Sequence, residues 1–265
     1  MKWVAAPSLT LAFVLELYRK YARDLERVRA HQRRLHARRG DVHAEQWAAY
    51  RMLAATLGAL GLPAHWKRRL KPQLDDLEAE ITYLLVRELR PRTAAEIGAD
   101  RGWSTTWILQ ALRDNGAGKL TSYDLRDYCT RAVPADLAAG RWTFVAGDAT
   151  RLVDPMVVGI DFLFIDAAHT ADFARWYLEH VLPALRPGTP VAIHDIFPPP
   201  DKLERWGESG VVREWLTTRG VPHLTVAPTA APEAHQRLLA LKNELGLARP
   251  IQWTQANPMV FLRAP

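Results

Sequence analysis

The sequence predicts an α/β fold, a doubly wound and mostly parallel sheet preceded by a helical N-terminal region. From residue 94 onward, short apolar runs alternate with helical patterns, an order typical of parallel strands joined by right-handed crossover helices. Before residue 90 the pattern is helical throughout. We therefore expect a helical cap or oligomerisation region over 1–90 and a catalytic sheet domain over 91–265.

The composition is typical of a folded protein. Its 265 residues are 48% hydrophobic, enough for one large domain with a sizeable core. Cys129 is the single cysteine, which excludes an internal disulfide and a cysteine-based zinc site and favours a reducing, cytoplasmic location. No run reaches the roughly 18 apolar residues of a spanning helix. The N-terminus lacks a small-residue cleavage site, so we interpret it as mature protein.

The basic character belongs to one segment. The net charge is +6, and residues 19–39 hold nine Lys or Arg against Asp24 and Glu26, a local charge of +7 that leaves about −1 for the rest. Such a run is typical of a solvated helix face, and less often of a surface that binds phosphate.

The N-terminal region reads as three helices. In the first, apolar residues recur every seven positions and form a seam that would pack on its own domain or on a second copy of the chain. The seam comprises Leu11, Tyr18 and Leu25, with Val14, Tyr21 and Val28. Gly40 ends this helix, a second runs to about Leu60, and a third covers 74–89 before Pro91. The seam favours a homo-oligomer.

The sheet region then follows in order. Strands are predicted at 94–97, 119–123, 142–146, 161–165 and 190–193, with helices such as 103–113 and 171–185 between them. The last apolar runs, 223–227 and 258–263, lack a crossover pattern and suit an antiparallel pair at the edge. In such sheets ligands bind at the carboxyl ends of the strands.

A glycine loop follows the first strand in "EIGADRGWST", residues 96–105. Gly98 would let the chain turn sharply, and Gly102 would let backbone approach a ligand next to the amides of the following helix. Asp100 occupies the middle position of the dinucleotide fingerprint, so that motif is not met. An acidic side chain here would repel a pyrophosphate, which favours a cofactor without one.

Carboxylates follow the next two strands. Asp124 could accept ribose hydroxyls, and Gly147 with Asp148 could meet an adenine edge. Taken singly, Asp124 could equally cap a helix and the Gly147-Asp148 pair could be a turn.

These landmarks, in this order, resemble the class I S-adenosylmethionine-dependent methyltransferases. The resemblance implies a seven-stranded sheet with an antiparallel last strand, and S-adenosylmethionine with its methionine part over the glycine loop and its ribose at Asp124. The implied donor-binding residues are Glu96, Gly98, Ala99, Gly102, Ser104, Asp124, Gly147, Asp148 and Asp166.

Four ionisable residues follow strands four and five. Asp166 and His169 stand in "IDAAHTADF", and His194 and Asp195 stand in "VAIHDIF". All four should converge at one sheet edge, a grouping that packing alone does not explain. Methyl transfer to oxygen needs an aligned and deprotonated hydroxyl, which a histidine base or a divalent metal can provide.

The Asp166-x-x-His169 motif resembles the metal-dependent sugar O-methyltransferases of macrolide pathways. That resemblance implies metal ligation by Asp166 and Asp195 and a base at His169. His194 stands where those enzymes have an acidic residue, so it could ligate a metal or share the base role. Magnesium prefers oxygen ligands and manganese accepts imidazole, and a site without metal stays open. We expect a sugar or specialised metabolite as the acceptor.

Three alternatives stay open at the sequence level. The basic segment could serve a nucleic-acid methyltransferase, the acceptor atom could be a nitrogen or a carboxylate, or the chain could bind the donor without catalysis. Trp206 and Glu208 could line the acceptor pocket, and Trp206 could instead pin its loop. Trp103 could contact the donor or pack its helix.

Overall fold

The computed structural model describes residues 8–35, 74–152, 159–199, 207–251 and 256–265. The predicted second helix, the end of the first at Gly40 and the tryptophan at position 206 lie outside these ranges. Nine helices are described: α1 (Leu11–Lys20), α2 (22–35), α3 (Asp76–Leu89), α4 (Trp103–Asn115), α5 (Ala135–Ala138), α6 (Ala149–Leu152), α7 (Ala171–Trp176), α8 (Gly207–Thr218) and α9 (Pro232–Glu244). Seven strands are described: β1 (Thr93–Ile97), β2 (Lys119–Asp124), β3 (Trp142–Ala146), β4 (Phe162–Ile165), β5 (Pro190–Ile193), β6 (His223–Thr225) and β7 (Val260–Arg263).

The strands form one sheet in the order β3-β2-β1-β4-β5-β7-β6. Strands β1 to β5 pair in parallel, whereas β7 is antiparallel to both β5 and β6. The predicted doubly wound sheet with an antiparallel last strand is therefore confirmed. The order reverses between β1 and β4, so the carboxyl ends of these strands open a crevice.

Helices cover both faces of the sheet. One apolar cluster joins the N-terminal helices with α4, α9 and one sheet face, and another joins α7 and α8 with the opposite face. The predicted seam is used inside the chain, since Val14, Tyr18, Leu25 and Val28 are fully buried in the first cluster. The core thus continues across residue 90. The domain boundary at residue 90 stays a prediction, and so does a homo-oligomer. The seam does not support a homo-oligomer, because its residues are buried within the chain's own core.

Two predicted helices are interrupted. The first has a break at Tyr21, between α1 and α2. The predicted 171–185 helix is α-helical only to Trp176, then continues as a π-helical turn (Tyr177–Val181) and a 3-10 turn (Leu182–Ala184). Pro183 lies in that last turn, where a proline cannot continue an α-helical ladder.

Several basic side chains of the N-terminal helices are paired within the fold. Lys20 Nζ lies 2.7 Å from Glu88 Oε2, and Arg27 pairs with Asp24 at 2.9 Å. Arg29 is fully buried and pairs with two carboxylates of α3. Lys20 and Arg29 therefore join helices and Arg27 pairs within its own helix, whereas the prediction was a solvated face. Among the described residues, no helix is both long and apolar enough to cross a membrane.

Candidate active site

Gly98 makes the turn off β1 that opens the site. Its φ is +88°, and a Cβ there would lie 1.7 Å from the carbonyl oxygen of Asp166 on the neighbouring strand. Its amide donates to the carbonyl of Tyr123 at 2.8 Å, while the Asp166 amide donates to Ile97. Only glycine fits this close crossing of two strand ends.

Glu96 lies beneath this loop. Its fully buried carboxylate accepts from Ser104 at 2.6 Å, from Thr105 at 2.7 Å and from Ser122 at 2.5 Å. Burial raises the pKa of Glu96 to about 7, against the lowering effect of the three hydroxyls. Of the residues predicted to bind the donor, Glu96, Ala99, Gly102 and Ser104 do not line the cavity described below. The Glu96–Ser104 contact instead holds the loop on the sheet.

Asp124 fixes the loop from the neighbouring strand. Its Oδ2 accepts the amides of Ala99 at 3.0 Å and Asp100 at 2.8 Å. The carboxylate still lines the cavity, so one side chain both shapes the loop and faces the ligand space.

A cavity of about 450 Å³ opens at the carboxyl ends of the strands, within the size range of small-molecule sites. Its lining includes four carboxylates and one imidazole, and it contains no lysine or arginine among the described residues. The lining comprises Ile97, Gly98, Asp100, Tyr123, Asp124, Leu125, Gly147, Asp148, Ala149, Asp166, Ala167, Ala168, His169 and Phe173. The prediction singled out Gly98, Asp124, Gly147, Asp148, Asp166 and His169 from this set. The aromatic and alanine positions carried no sequence signal.

His169 lies between three carboxylates on the loop before α7. Its Nδ1 is 2.9 Å from Glu208 Oε2, and its Nε2 is 3.3 Å from Asp195 Oδ2 and 3.9 Å from Asp166 Oδ1. Burial lowers the pKa of His169, but the hydrogen bond with Glu208 and the nearby negative charges outweigh it and hold that pKa above its usual range. The predicted convergence of Asp166, His169 and Asp195 is therefore present.

Glu208 is the second residue of α8 and has only 1% of its surface exposed. Its Oε1 accepts from the Tyr177 hydroxyl at 2.9 Å. Burial raises the pKa of Glu208, opposed by its hydrogen bonds with His169 and Tyr177. It does not line the cavity described above, and its place beside an acceptor stays a prediction.

His194 lies under the carboxylates rather than in the cavity. Only 6% of it is exposed; Nδ1 is 3.3 Å from Asp166 Oδ1 and also 3.3 Å from Asp195 Oδ1, and Nε2 is 3.3 Å from Glu78 Oε2. Burial lowers its pKa, but Asp166, Glu78 and Asp195 raise it well above the usual range. No sequence pattern indicated Glu78, because an acidic residue in the first turn of α3 suits the helix dipole alone.

Asp166, His169 and Asp195 form the group that could hold a metal ion. One ligand atom from each lies within 4.8 Å of the others. His169 falls within this group and His194 does not, and the predicted metal ligands Asp166, His194 and Asp195 stay a prediction. Asp195 has a φ of +60°, in the left-handed region, directly after β5. Two carboxylates and an imidazole suit manganese better than magnesium.

Comparison with known proteins gives a family match over part of the chain. Residues 95–196, which span β1 to just beyond β5, match the family model of a methyltransferase domain. The comparison with curated proteins gave no match. Residues 95–196 are therefore a methyltransferase domain.

Solved structures with a related fold share little sequence with this chain. A putative O-methyltransferase from Klebsiella pneumoniae is 22% identical, with 70% of this chain and 93% of that chain covered and a TM-score of 0.47. An O-methyltransferase from Bacillus cereus, crystallised with SAH, is 16% identical, with coverage of 83% and 99% and a TM-score of 0.49. TomG from Streptomyces achromogenes, an O-methyltransferase of tomaymycin synthesis crystallised with SAM, is 17% identical, with coverage of 83% and 98% and a TM-score of 0.49.

Proposed function

We propose that this methyltransferase transfers a methyl group from S-adenosylmethionine to a hydroxyl of a small molecule, a sugar or a specialised metabolite, with His169 as the base. The observation that carries the proposal is the carboxylate-lined cavity that ends at His169. A cavity with four carboxylates and no described basic residue favours a cationic ligand. It disfavours a diphosphate.

The donor suits this cavity in charge and in shape. S-adenosylmethionine carries a sulfonium and an ammonium against one carboxylate, so its net charge is positive. Asp124 is available to ribose hydroxyls, and Gly147 with Asp148 to the adenine edge. Leu125 lies on the cavity wall with 71% of its surface exposed. The adenine ring of the donor could cover this apolar side chain.

The chain's own residues have two tasks in the transfer. The bound donor supplies a methyl carbon already activated by the sulfonium charge. His169 takes the acceptor's proton at Nε2 as the new carbon–oxygen bond forms and the carbon–sulfur bond breaks, leaving the neutral thioether. The loop around Gly98 and the wall near Phe173 align the two partners.

Asp166 and Asp195 would hold a divalent metal beside the acceptor hydroxyl. Such an ion would lower the pKa of that hydroxyl and fix its position. One nitrogen cannot both ligate a metal and accept a proton. A base at His169 therefore leaves the two carboxylates as the metal's protein ligands. The His194 ring lies against both carboxylates on the side away from the cavity.

A small molecule is favoured over a nucleic acid as the acceptor. Lys20, Arg27 and Arg29 are occupied by carboxylates of the same chain, which leaves less of the basic segment to grip phosphates. A cytoplasmic location is consistent with the single, buried Cys129.

The proposal is tested by methyl transfer from labelled S-adenosylmethionine to a panel of hydroxylated sugars and phenols. We expect H169A to lose about 10²- to 10⁴-fold in rate, the usual contribution of a general base, with donor affinity retained. The exposed His180 on the following turn supplies the matched control, H180A, which should keep full activity. Transfer by H169A at the wild-type rate would refute the base.

Metal removal belongs in the same assay. EDTA treatment should lower methyl transfer, and added Mn²⁺ should restore it in the wild type but not in D195N. If His169 is a base rather than a ligand, H169A should still bind Mn²⁺ with wild-type affinity. Loss of Mn²⁺ binding in H169A would instead make His169 a ligand.

A further inference from the structure

We propose that Glu208 is a positioning residue that fixes the tautomer of His169, so that Nε2 faces the cavity as the proton acceptor. The proposal rests on the base role proposed above. Its test, however, needs no turnover. The sequence suggested only that Glu208 could line a pocket, whereas its contacts give it a different task.

The hydrogen-bond partners of the His169 ring decide which of its two nitrogens carries the proton. A neutral imidazole has one nitrogen that donates and one that accepts, and the partner of one nitrogen decides the role of the other. A carboxylate can only accept, so Glu208 Oε2 at 2.9 Å places the proton on Nδ1 of His169. The lone pair is then left on Nε2, the nitrogen that lies near Asp195 and Asp166.

The second step is competition for that proton. Asp195 Oδ2 lies 3.3 Å and Asp166 Oδ1 3.9 Å from Nε2. In the metal-free protein, and without an acceptor at Nδ1, these carboxylates would draw the proton to Nε2 and remove the lone pair that a base needs. Glu208 opposes this effect from the other side of the ring, at the shortest of the three distances.

The third step is the rigidity of Glu208 itself. Tyr177 donates its hydroxyl to Oε1 at 2.9 Å from the buried π-helical turn. The next residue, Ser209, donates to the carbonyl of Ile196 at 2.7 Å, just beyond β5. Before it, a Cβ on Gly207 would lie 3.1 Å from the amide of Ala171 in α7. The start of α8 is thus held against both strand-end segments that carry the site, which locks the carboxylate.

The experiment is nitrogen-15 NMR of histidine-labelled protein, at a pH high enough for a neutral His169 ring. The wild type should show Nδ1–H and an unprotonated Nε2. In E208Q, Tyr177 keeps the amide oxygen, so the amide nitrogen faces Nδ1 and the population should reverse to Nε2–H. E208L, which removes both hydrogen-bonding roles, should shift the same way.

Matched measurements keep the outcome clear. E214Q, an exposed substitution on the same helix, should leave the His169 signals unchanged. Calorimetry with S-adenosylmethionine should give the same affinity for E208Q and the wild type, since Glu208 does not line the cavity. A wild-type ring with its proton on Nε2, or one that keeps Nδ1–H in both E208Q and E208L, would overturn the proposal. Failure of the wild type to bind the donor would overturn the proposed function and leave the tautomer result standing.

Discussion

At the scale of single residues, Glu96 shows how the glycine loop after β1 is held in place. Three hydroxyls from α4 and β2 meet on its buried carboxylate, and Trp142 Nε1 donates to the Ser122 hydroxyl at 2.9 Å. The side chain therefore ties β1, β2, β3 and α4 together below the cavity. Its raised pKa makes this anchor sensitive to pH.

The stability of the protein should accordingly depend on Glu96 near neutral pH. The folded pKa of about 7 exceeds the ordinary value of 4.5, so the folded state binds the proton more tightly. This contribution is fully present below the ordinary pKa and is lost as the pH rises through about 7. At about 1.4 kcal/mol per pKa unit, the loss amounts to roughly 3 kcal/mol.

Urea unfolding at about pH 5 and about pH 8 tests this dependence. The E96Q variant should lose roughly 3 kcal/mol less than the wild type between the two pH values, since it cannot ionise. The exposed Glu233 supplies the control, and E233Q should follow the wild type. Identical pH dependence in E96Q and the wild type would contradict a raised pKa at Glu96.

At the scale of elements, a buried charge cluster joins the N-terminal helices to the rest of the fold. Arg29 of α2 lies 3.3 Å from Asp76 Oδ2 and also pairs with Glu80, both on α3. Lys242 of α9 lies 3.0 Å from Glu80 Oε1, and Tyr18 of α1 donates to Glu80 Oε2 at 2.8 Å. Four helices thus meet at one carboxylate. Removing one partner of a buried pair leaves uncompensated charge.

Substitution of Arg29 should therefore cost far more than that of an exposed arginine on the same helix. We expect R29A to lower the free energy of unfolding by about 3–5 kcal/mol. R23A, at an exposed position of the same helix, should change it by less than about 0.5 kcal/mol. Denaturant unfolding measures both. Equal, small losses in the free energy of unfolding of R29A and R23A would show that the buried Arg29 pairs do not stabilise the fold.

Most elements could be predicted from sequence because their signals are local. Alternating apolar runs and helical patterns gave β1 to β7 within a few residues, and glycine and aspartate at the strand ends gave much of the cavity wall. The direction in which a side chain points could not be predicted from a local sequence pattern. His169, rather than His194, falls within the group that could hold a metal, a difference that the strand-end pattern did not indicate. Glu78 and Glu208 reach the site only through helix packing, which no short pattern encodes.

At the scale of the whole molecule, positive and negative charges lie in different places. The positive charge of the chain is concentrated in residues 19–39. Part of it lies in ion pairs, between helices at Lys20 and Arg29 and within one helix at Arg27. The negative charge of the strand ends is concentrated in the cavity, where Asp100, Asp124, Asp148 and Asp166 face one space. This separation leaves the ligand site anionic in a protein of net positive charge.

The anionic cavity should bind a cationic donor, and calorimetric titration with S-adenosylmethionine measures that binding. The wild type should bind one donor per chain. D124N keeps a loop-holding oxygen but removes a charge, and should weaken binding by about 10-fold or more, as expected for hydrogen bonds to a charged group. E233Q should bind like the wild type. An absence of donor binding by the wild type, or full affinity in D124N, would contradict the binding of S-adenosylmethionine at Asp124 in this cavity.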